Sequence, residues 1–247
     1  MPPPHVDIVF VVDASSSMIP CFDGLRKHLG SLVQAMEGCV SKIHYGLVAH
    51  STRGDSYRHI FLCGSGIEDL MCLYQRNSDY GMLRERYFTD DPQHFIECLQ
   101  RVTPTGNENS LVALDIALDF PFASPANTKR VIALFSDEPF ETGNAFDAHN
   151  RYIPDLIEKI HARRIMLFCA VPNGPGIQEL AAADGSEIVL IDDDDVGLER
   201  VNFQQLLFNM GKSISRSLLQ RTGEPAYKQA LFEQNIWNAS NIWGPDE

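Results

Sequence analysis

At 247 residues, 44% of them hydrophobic and 21% charged, the chain is long enough for one α/β domain with a large buried core and too ordinary in composition for a disordered or fibrous class. Its 20 Lys and Arg against 33 Asp and Glu give a formal charge of −13, which repels phosphate backbones and argues against nucleic-acid binding. No apolar run is long enough to span a bilayer, and Met1-Pro-Pro-Pro is not a signal peptide, so the expectation is a soluble, cytoplasmic protein without membrane contact.

The first element, within Val6 to Met18 (VDIVFVVDASSSM), is an unbroken β-branched and aromatic run that ends in one carboxylate and three hydroxyls. Such a run reads as a strand buried on both faces of a parallel sheet, and ligands in open α/β sheets lie beyond the carboxyl ends of the strands. Asp13, Ser15 and Ser17 alternate, so a near-extended loop would point three hard oxygen donors into one space, a set suited to Mg²⁺ or Mn²⁺ rather than zinc or copper. The alternative is structural: Ser15 or Ser17 caps the helix that starts near Pro20, and Asp13 makes a turn. Phe22, Leu25, Leu29, Leu32, Val33 and Met36 recur at helical spacing, and Gly38 closes that helix.

Ile43 to Ser51 is the next strand, its mixed polarity placing it nearer a sheet edge. Arg53-Gly-Asp55 is turn chemistry rather than an adhesion signal, and Ile60 to Cys63 reads as a short strand returning antiparallel. Ile67 to Leu73 is a short helix, and Met82 to Phe88 a strand or a loop. Asp91-Pro92 opens a helix carrying Phe95, Leu99 and Val102. A polar loop, Thr103 to Asn109, feeds a helix from Ser110 to Phe120. Arg130 to Phe135 is a second apolar strand ending in a carboxylate, in Ser136-Asp137-Glu138-Pro139.

Tyr152 to His161 is helical, Ile165 to Val171 is a third buried strand, Ile177 to Ala183 a short helix ended by Gly185, and Glu187 to Ile191 a further strand. Asp192 to Asp195 cannot all face one ion; they flank the start of the last helix, Leu198 to Leu219, where its dipole favours negative charge. The domain pattern covers residues 1–222. The tail, residues 223–247, repeats Asn-Ile-Trp at Asn235 and Asn241 and either folds back on the domain or docks on a partner. The six cysteines form no close pair and the eight histidines no zinc pattern, so most cysteines are expected to be reduced, buried small hydrophobes.

Alternating strands and helices imply a doubly wound, mainly parallel α/β sheet with one antiparallel edge strand and helices on both faces. Asp13-Ala-Ser15-Ser-Ser17 resembles the Asp-x-Ser-x-Ser element of von Willebrand factor A domains, the family with a metal-ion-dependent adhesion site. Thr105 matches that family's second-loop threonine and Asp137 its third-loop aspartate, and the likeness spans roughly Val6 to Leu219 in element order. The resemblance implies that Ser15, Ser17 and Thr105 touch a Mg²⁺ or Mn²⁺ ion, that Asp13 and Asp137 hold it directly or through waters, and that an Asp or Glu of a partner protein completes its shell. In related domains, exchange at the third-loop aspartate is linked to movement of the last helix. Three neighbours form the rim: Ser16 where glycine is frequent, Asn107 after Thr105, and Glu138 where glycine often follows the aspartate. Glu138 either strengthens cation binding or fills the ligand position.

Three functions follow from different classes. The first is a non-enzymatic adaptor that grips an acidic residue of a partner through the metal, as intracellular members of the family do beside ATPases or in stress and defence complexes. The second is a metal-free scaffold that binds through its tail or sheet edge. The third is a metal-dependent phosphohydrolase, which needs a second acid two residues after its nucleophilic Asp; here that position is Ser15, and no catalytic triad or phosphate loop is present.

Overall fold

In the computed structural model, which describes residues 4–50, 59–62, 66–69, 84–105, 110–140, 152–183, 185–219 and 236–238, strand β1 (His5–Asp13) is buried at every residue from Val6 onward. It lies near the middle of an eight-stranded sheet formed with β2 (Lys42–His50), β3 (His59–Leu62), β4 (Gly66–Asp69), β5 (Thr128–Phe135), β6 (Ile165–Pro172), β7 (Ser186–Ile191) and β8 (Ile236–Asn238). The order is β4-β3-β2-β1-β5-β6-β7-β8, and β2, β1, β5, β6 and β7 are mutually parallel.

Among the described residues six helices cover the two faces: α1 (Ile19–Met36), α2 (Pro92–Arg101), α3 (Ser110–Leu118), α4 (Tyr152–Arg163), α5 (Ile177–Ala181) and α6 (Phe203–Leu219). Because strand side chains alternate, Val6, Ile8, Phe10 and Val12 pack under α1, α2 and α6, while Val9 and Val11 pack under α3, α4 and α5. Two cores therefore share one sheet, which is why its central strands are apolar without alternation. Helix α6 lies close against α1 at Gly211, where a Cβ would sit 2.7 Å from the Ala35 Cβ and 2.8 Å from the Leu32 carbonyl oxygen.

The amino-terminal pole of the sheet is closed by Asp7, which is fully buried. Arg84 donates to its two carboxylate oxygens at 2.8 and 2.6 Å, the backbone N–H of Ala123 at 2.8 Å, and His44 Nδ1 lies 3.0 Å away. A buried carboxylate persists when it is paired and hydrogen-bonded in this way. The network pins the 3-10 turn Arg84–Arg86 to the sheet, far from the carboxyl ends of the strands.

Several expectations are corrected. β3 does run antiparallel to β2, but it is not the edge: β4 pairs antiparallel outside it, over Gly66 to Asp69, where a helix was expected from Ile67. The backbone N–H and C=O groups of β3 are satisfied on both sides by that pairing. β2 is accordingly an interior strand despite its mixed polarity. Of Met82 to Phe88, expected as a strand or a loop, the described residues from Arg84 form a 3-10 turn in a loop, followed by a single bridge between Thr89 and Tyr45.

The last helix begins at Phe203 and not at Leu198. Gly197 and Leu198 both have positive φ, at 69° and 59°, which breaks the helical path, and the Asn202 side chain caps the new start by accepting from the Gln205 N–H at 3.1 Å. Before it stands only a 3-10 turn, Val196–Leu198. Among the described residues Cys21, Cys39 and Cys169 are free and Cys98 is disulfide-bonded. Arg53 to Asp55, Asn107 and most of the tail lie outside the described residues; of the tail, Ile236–Asn238 is described, as β8 parallel to β7. No helix among the described residues is long and apolar enough to cross a membrane.

Candidate functional site

The sheet reverses its winding between β1 and β5. From β1 the chain steps to β2 across the α1 face, and from β5 it steps the other way to β6 across the α4 face. At such a point the loops leaving two neighbouring parallel strands diverge and leave a crevice at their carboxyl ends. Val12 of β1 pairs with Phe135 of β5, so Asp13 ends one wall of the crevice level with Ser136 and one residue short of Asp137 on the other.

In the first loop, Asp13 and Ser15 are buried, Ser17 is half-buried and Ser16 is exposed. The Ser15 N–H donates to Asp13 Oδ1 at 2.7 Å, and this short turn brings the Ser15 and Ser17 hydroxyls to 2.9 Å from each other. Met18, with no side-chain cap, precedes α1 and Ser15 makes no capping bond, so the expected serine cap is absent, while the expected Asp13 turn is formed. In the second loop, the Thr105 N–H donates to the Ala14 carbonyl at 2.7 Å, which lays the half-buried Thr105 directly on the first loop. Ala14 is held from its other side as its N–H donates to the His50 carbonyl at 2.9 Å.

In the third loop, Ser136 is fully buried and its hydroxyl donates to Asp13 Oδ2 at 3.2 Å while receiving the Glu138 N–H at 3.2 Å. Asp137 Oδ2 accepts the Gly197 N–H at 2.7 Å. Its other oxygen, Oδ1, is buried and has no hydrogen-bond partner. Glu138 is exposed and does not enter the crevice with its neighbours. Thus Asp13, Ser15, Ser17, Thr105 and Asp137 come from three loops meeting at one place, whereas Ser16 and Glu138 form its outer rim and Asn107 lies outside the described residues.

The donor set fits a hard divalent cation. It is all oxygen: two carboxylates, Asp13 and Asp137, and three hydroxyls, Ser15, Ser17 and Thr105. A buried carboxylate oxygen without a donor, like Asp137 Oδ1, is unfavourable unless something positive satisfies it. Among the described residues no group of three or more His, Cys, Asp and Glu side chains is placed to hold a metal, so a cation here depends on the serine and threonine hydroxyls. Burial first, then the charges of Asp13 and Asp137, push the Cys21 thiol well above the usual range.

No protein-family model matches the chain, and no curated protein matches it in sequence. Solved structures do. A von Willebrand factor type A protein from Catenulispora acidiphila superposes with a TM-score of 0.52 at 14% identity, over 86% of this chain and 43% of the other. Proximal thread matrix protein 1 from the mussel byssus superposes with a TM-score of 0.51 at 15% identity, over 87% of this chain and 46% of its own. The chain has the fold of a von Willebrand factor type A domain. It corresponds to less than half the length of either structure, and at this identity the likeness carries the fold alone.

Within this von Willebrand factor A fold, three participants in the crevice have no motif in the sequence. Ser136 ties the first loop to the third; its only signal is a serine at the end of an apolar strand. Gly197 supplies an N–H to Asp137 from a chain segment sixty positions away, and a Cβ there would lie 2.2 Å from the Ser17 carbonyl oxygen. A glycine two residues after the Asp192–Asp195 run was the available hint. His50, in register with Asp13, is buried with both ring nitrogens unpartnered, and burial pushes its pKa down to about 4, so it is neutral at pH 7.

Proposed function

We propose that this chain is a non-enzymatic protein-binding module that uses a Mg²⁺-type cation at the crevice between β1 and β5 to grip an acidic side chain of a partner protein. Asp13, Ser15, Ser17, Thr105 and Asp137 would hold the ion, which supplies a positive point with open coordination for a carboxylate. The observation that carries this reading is Asp137 Oδ1, buried and unpartnered beside two clustered serine hydroxyls and a second carboxylate. Mg²⁺ takes six oxygens, and neutral hydroxyls leave much of its charge to be met from outside the chain. The exposed Ser16 and Glu138 frame the opening.

The chain's own residues do the positioning. The Ser15 N–H and the Ser136 hydroxyl orient Asp13; the Gly197 N–H fixes Asp137; the Thr105 N–H seats the second loop. No nucleophile with an adjacent base is needed or invoked. The free thiols of Cys21, Cys39 and Cys169 support a cytoplasmic setting for this module.

The test uses Mn²⁺ as a reporter. Water-proton relaxation of the Mn²⁺-loaded protein reads the waters left on the ion. A short peptide carrying one Glu should displace water and lower the relaxation, and the same peptide with Gln should not. Equal responses to the two peptides, or none, would contradict the proposal.

A further inference from the structure

Among the described residues four large apolar side chains are exposed, and the two most exposed of them stand at the crevice: Val196 at 64% and Ile19 at 53%, against 43% for Leu219 and 39% for Val33. Ile19 opens α1, two residues after Ser17, and Val196 precedes Gly197, whose N–H holds Asp137. The segments that carry them touch, since a Cβ on Gly197 would lie 2.2 Å from the Ser17 carbonyl oxygen and 2.9 Å from Pro20 Cδ. Singly scattered apolar side chains are ordinary on a protein surface, but two on touching turns beside a ligand site offer a surface for a partner to cover. Val33 is the contrast, lying fourteen positions further along α1 and so about 21 Å from Ile19 along the helix axis.

The remainder of this rim is acidic. Glu138 is exposed, as are Asp192, Asp193 and Asp194, which follow the carboxyl end of β7 and lead toward Val196. The cation among them, Arg200, is paired with Asp194. A carboxylate approaching the ion meets like charge on the rim, whereas basic and apolar neighbours of that carboxylate meet complementary surface.

We propose that the partner segment gripped at the crevice is a basic one in which a single acidic residue, bound to the ion, is flanked by a bulky aliphatic residue that lies on Ile19 and Val196. A carboxylate alone is common to every protein surface; the apolar contact supplies the difference in affinity by which one acidic residue is chosen over another. Ile19 and Val196 are thus the residues that set partner specificity. The inference rests on the cation reading of the crevice and adds to it the chemistry of the partner.

Four labelled peptides, titrated by fluorescence anisotropy against the Mn²⁺-loaded full chain, separate these claims: Lys-Leu-Glu-Leu-Lys, and the same peptide with Ser for Leu, with Glu for Lys, or with Gln for Glu. Leucine on both sides makes the probe independent of chain direction. The first peptide should bind about tenfold more tightly than the serine peptide, the change expected when an aliphatic side chain is partly covered, and more tightly than the peptide with glutamate ends. The double variant Ile19→Ser, Val196→Ser alters two exposed positions where the fold tolerates a polar residue; it should bind Mn²⁺ as the parent does and lose the preference for leucine, whereas Val33→Ser should keep it. Equal affinity of the parent for the leucine peptide and for either its serine or its glutamate-ended form, or a leucine preference that survives in the double variant, would overturn the proposal with the cation reading intact. A glutamine peptide that binds as tightly as its glutamate parent, or a chain that takes up no Mn²⁺, would overturn the cation reading and the proposal with it.

Discussion

Asp13 is the residue on which the three loops converge, and its neighbours determine what happens when it or they are changed. The Ser136 hydroxyl, in the loop that follows β5, is its buried donor. Ser136→Ala removes a hydrogen bond to a charged group, and thermal unfolding should register a loss of about 1.5–3 kcal/mol. The same change should weaken Mg²⁺ binding roughly 10–100-fold, the usual effect of losing a residue that orients a metal ligand. Gly197 is as constrained. Its φ of 69° and the 2.2 Å approach of a Cβ to the Ser17 carbonyl oxygen leave no room for a side chain. Gly197→Ala should destabilise by about 2–4 kcal/mol in denaturant unfolding; a loss below 0.5 kcal/mol would mean that the Val196–Leu198 turn moves freely away from the first loop.

At the scale of elements, the last helix is linked to the crevice through that turn, since the Gly197 N–H holds Asp137 and Phe203 begins α6 soon afterwards. Gly211 lets α6 lie directly on α1. Gly211→Ala should push the helices apart and cost about 1–3 kcal/mol of stability, with the sheet unaffected in far-ultraviolet circular dichroism. These links also explain what could be read from the sequence. Unbroken runs such as Ile8–Val12 and Val131–Phe135 have one physical solution, a strand with both faces covered, and the carboxylates that end them fall at the switch point by topology. The strand at Ile60 was legible as a short apolar return, and its backbone does pair antiparallel with β2. What was not legible depended on partners remote in sequence. Gly66 to Asp69 pairs with the outer side of β3, and the pattern from Leu198 looked helical because the apolar periodicity of α6 extends back to Leu198, whose positive φ breaks the helical path. In the crevice, Asp13, Ser15 and Ser17 stood in one spaced motif, whereas Ser136 and Gly197 act through single hydrogen bonds that leave no spacing to read.

At the scale of the molecule, the pH dependence of stability follows from Glu187 on β7. Burial, opposed by the Ser213 hydroxyl at 3.1 Å and by Arg216 and Lys129, raises its pKa to about 7 from 4.5. A raised folded-state pKa means that the native protein holds a proton the unfolded chain has released. Its contribution is therefore full below about pH 4.5 and is lost as pH rises to about 7. His50, lowered to about 4, acts in the opposite sense, losing stability as pH falls from 6.5 toward 4. The two partly cancel between pH 5 and 6.5. Glu187→Gln removes one side of the balance, so its stability relative to the parent protein should rise with pH between about 4.5 and 7; a pH-independent difference in urea midpoints would show that Glu187 titrates normally.

The central claim is that the β1–β5 crevice binds a divalent cation, and calorimetric titration of metal-stripped protein with Mg²⁺ tests it most directly, run beside Asp13→Ala. The account predicts saturable binding at one site in the parent protein and none in Asp13→Ala, with both proteins folded by circular dichroism. Equal heats from the two proteins, or no binding by a folded parent, would contradict it.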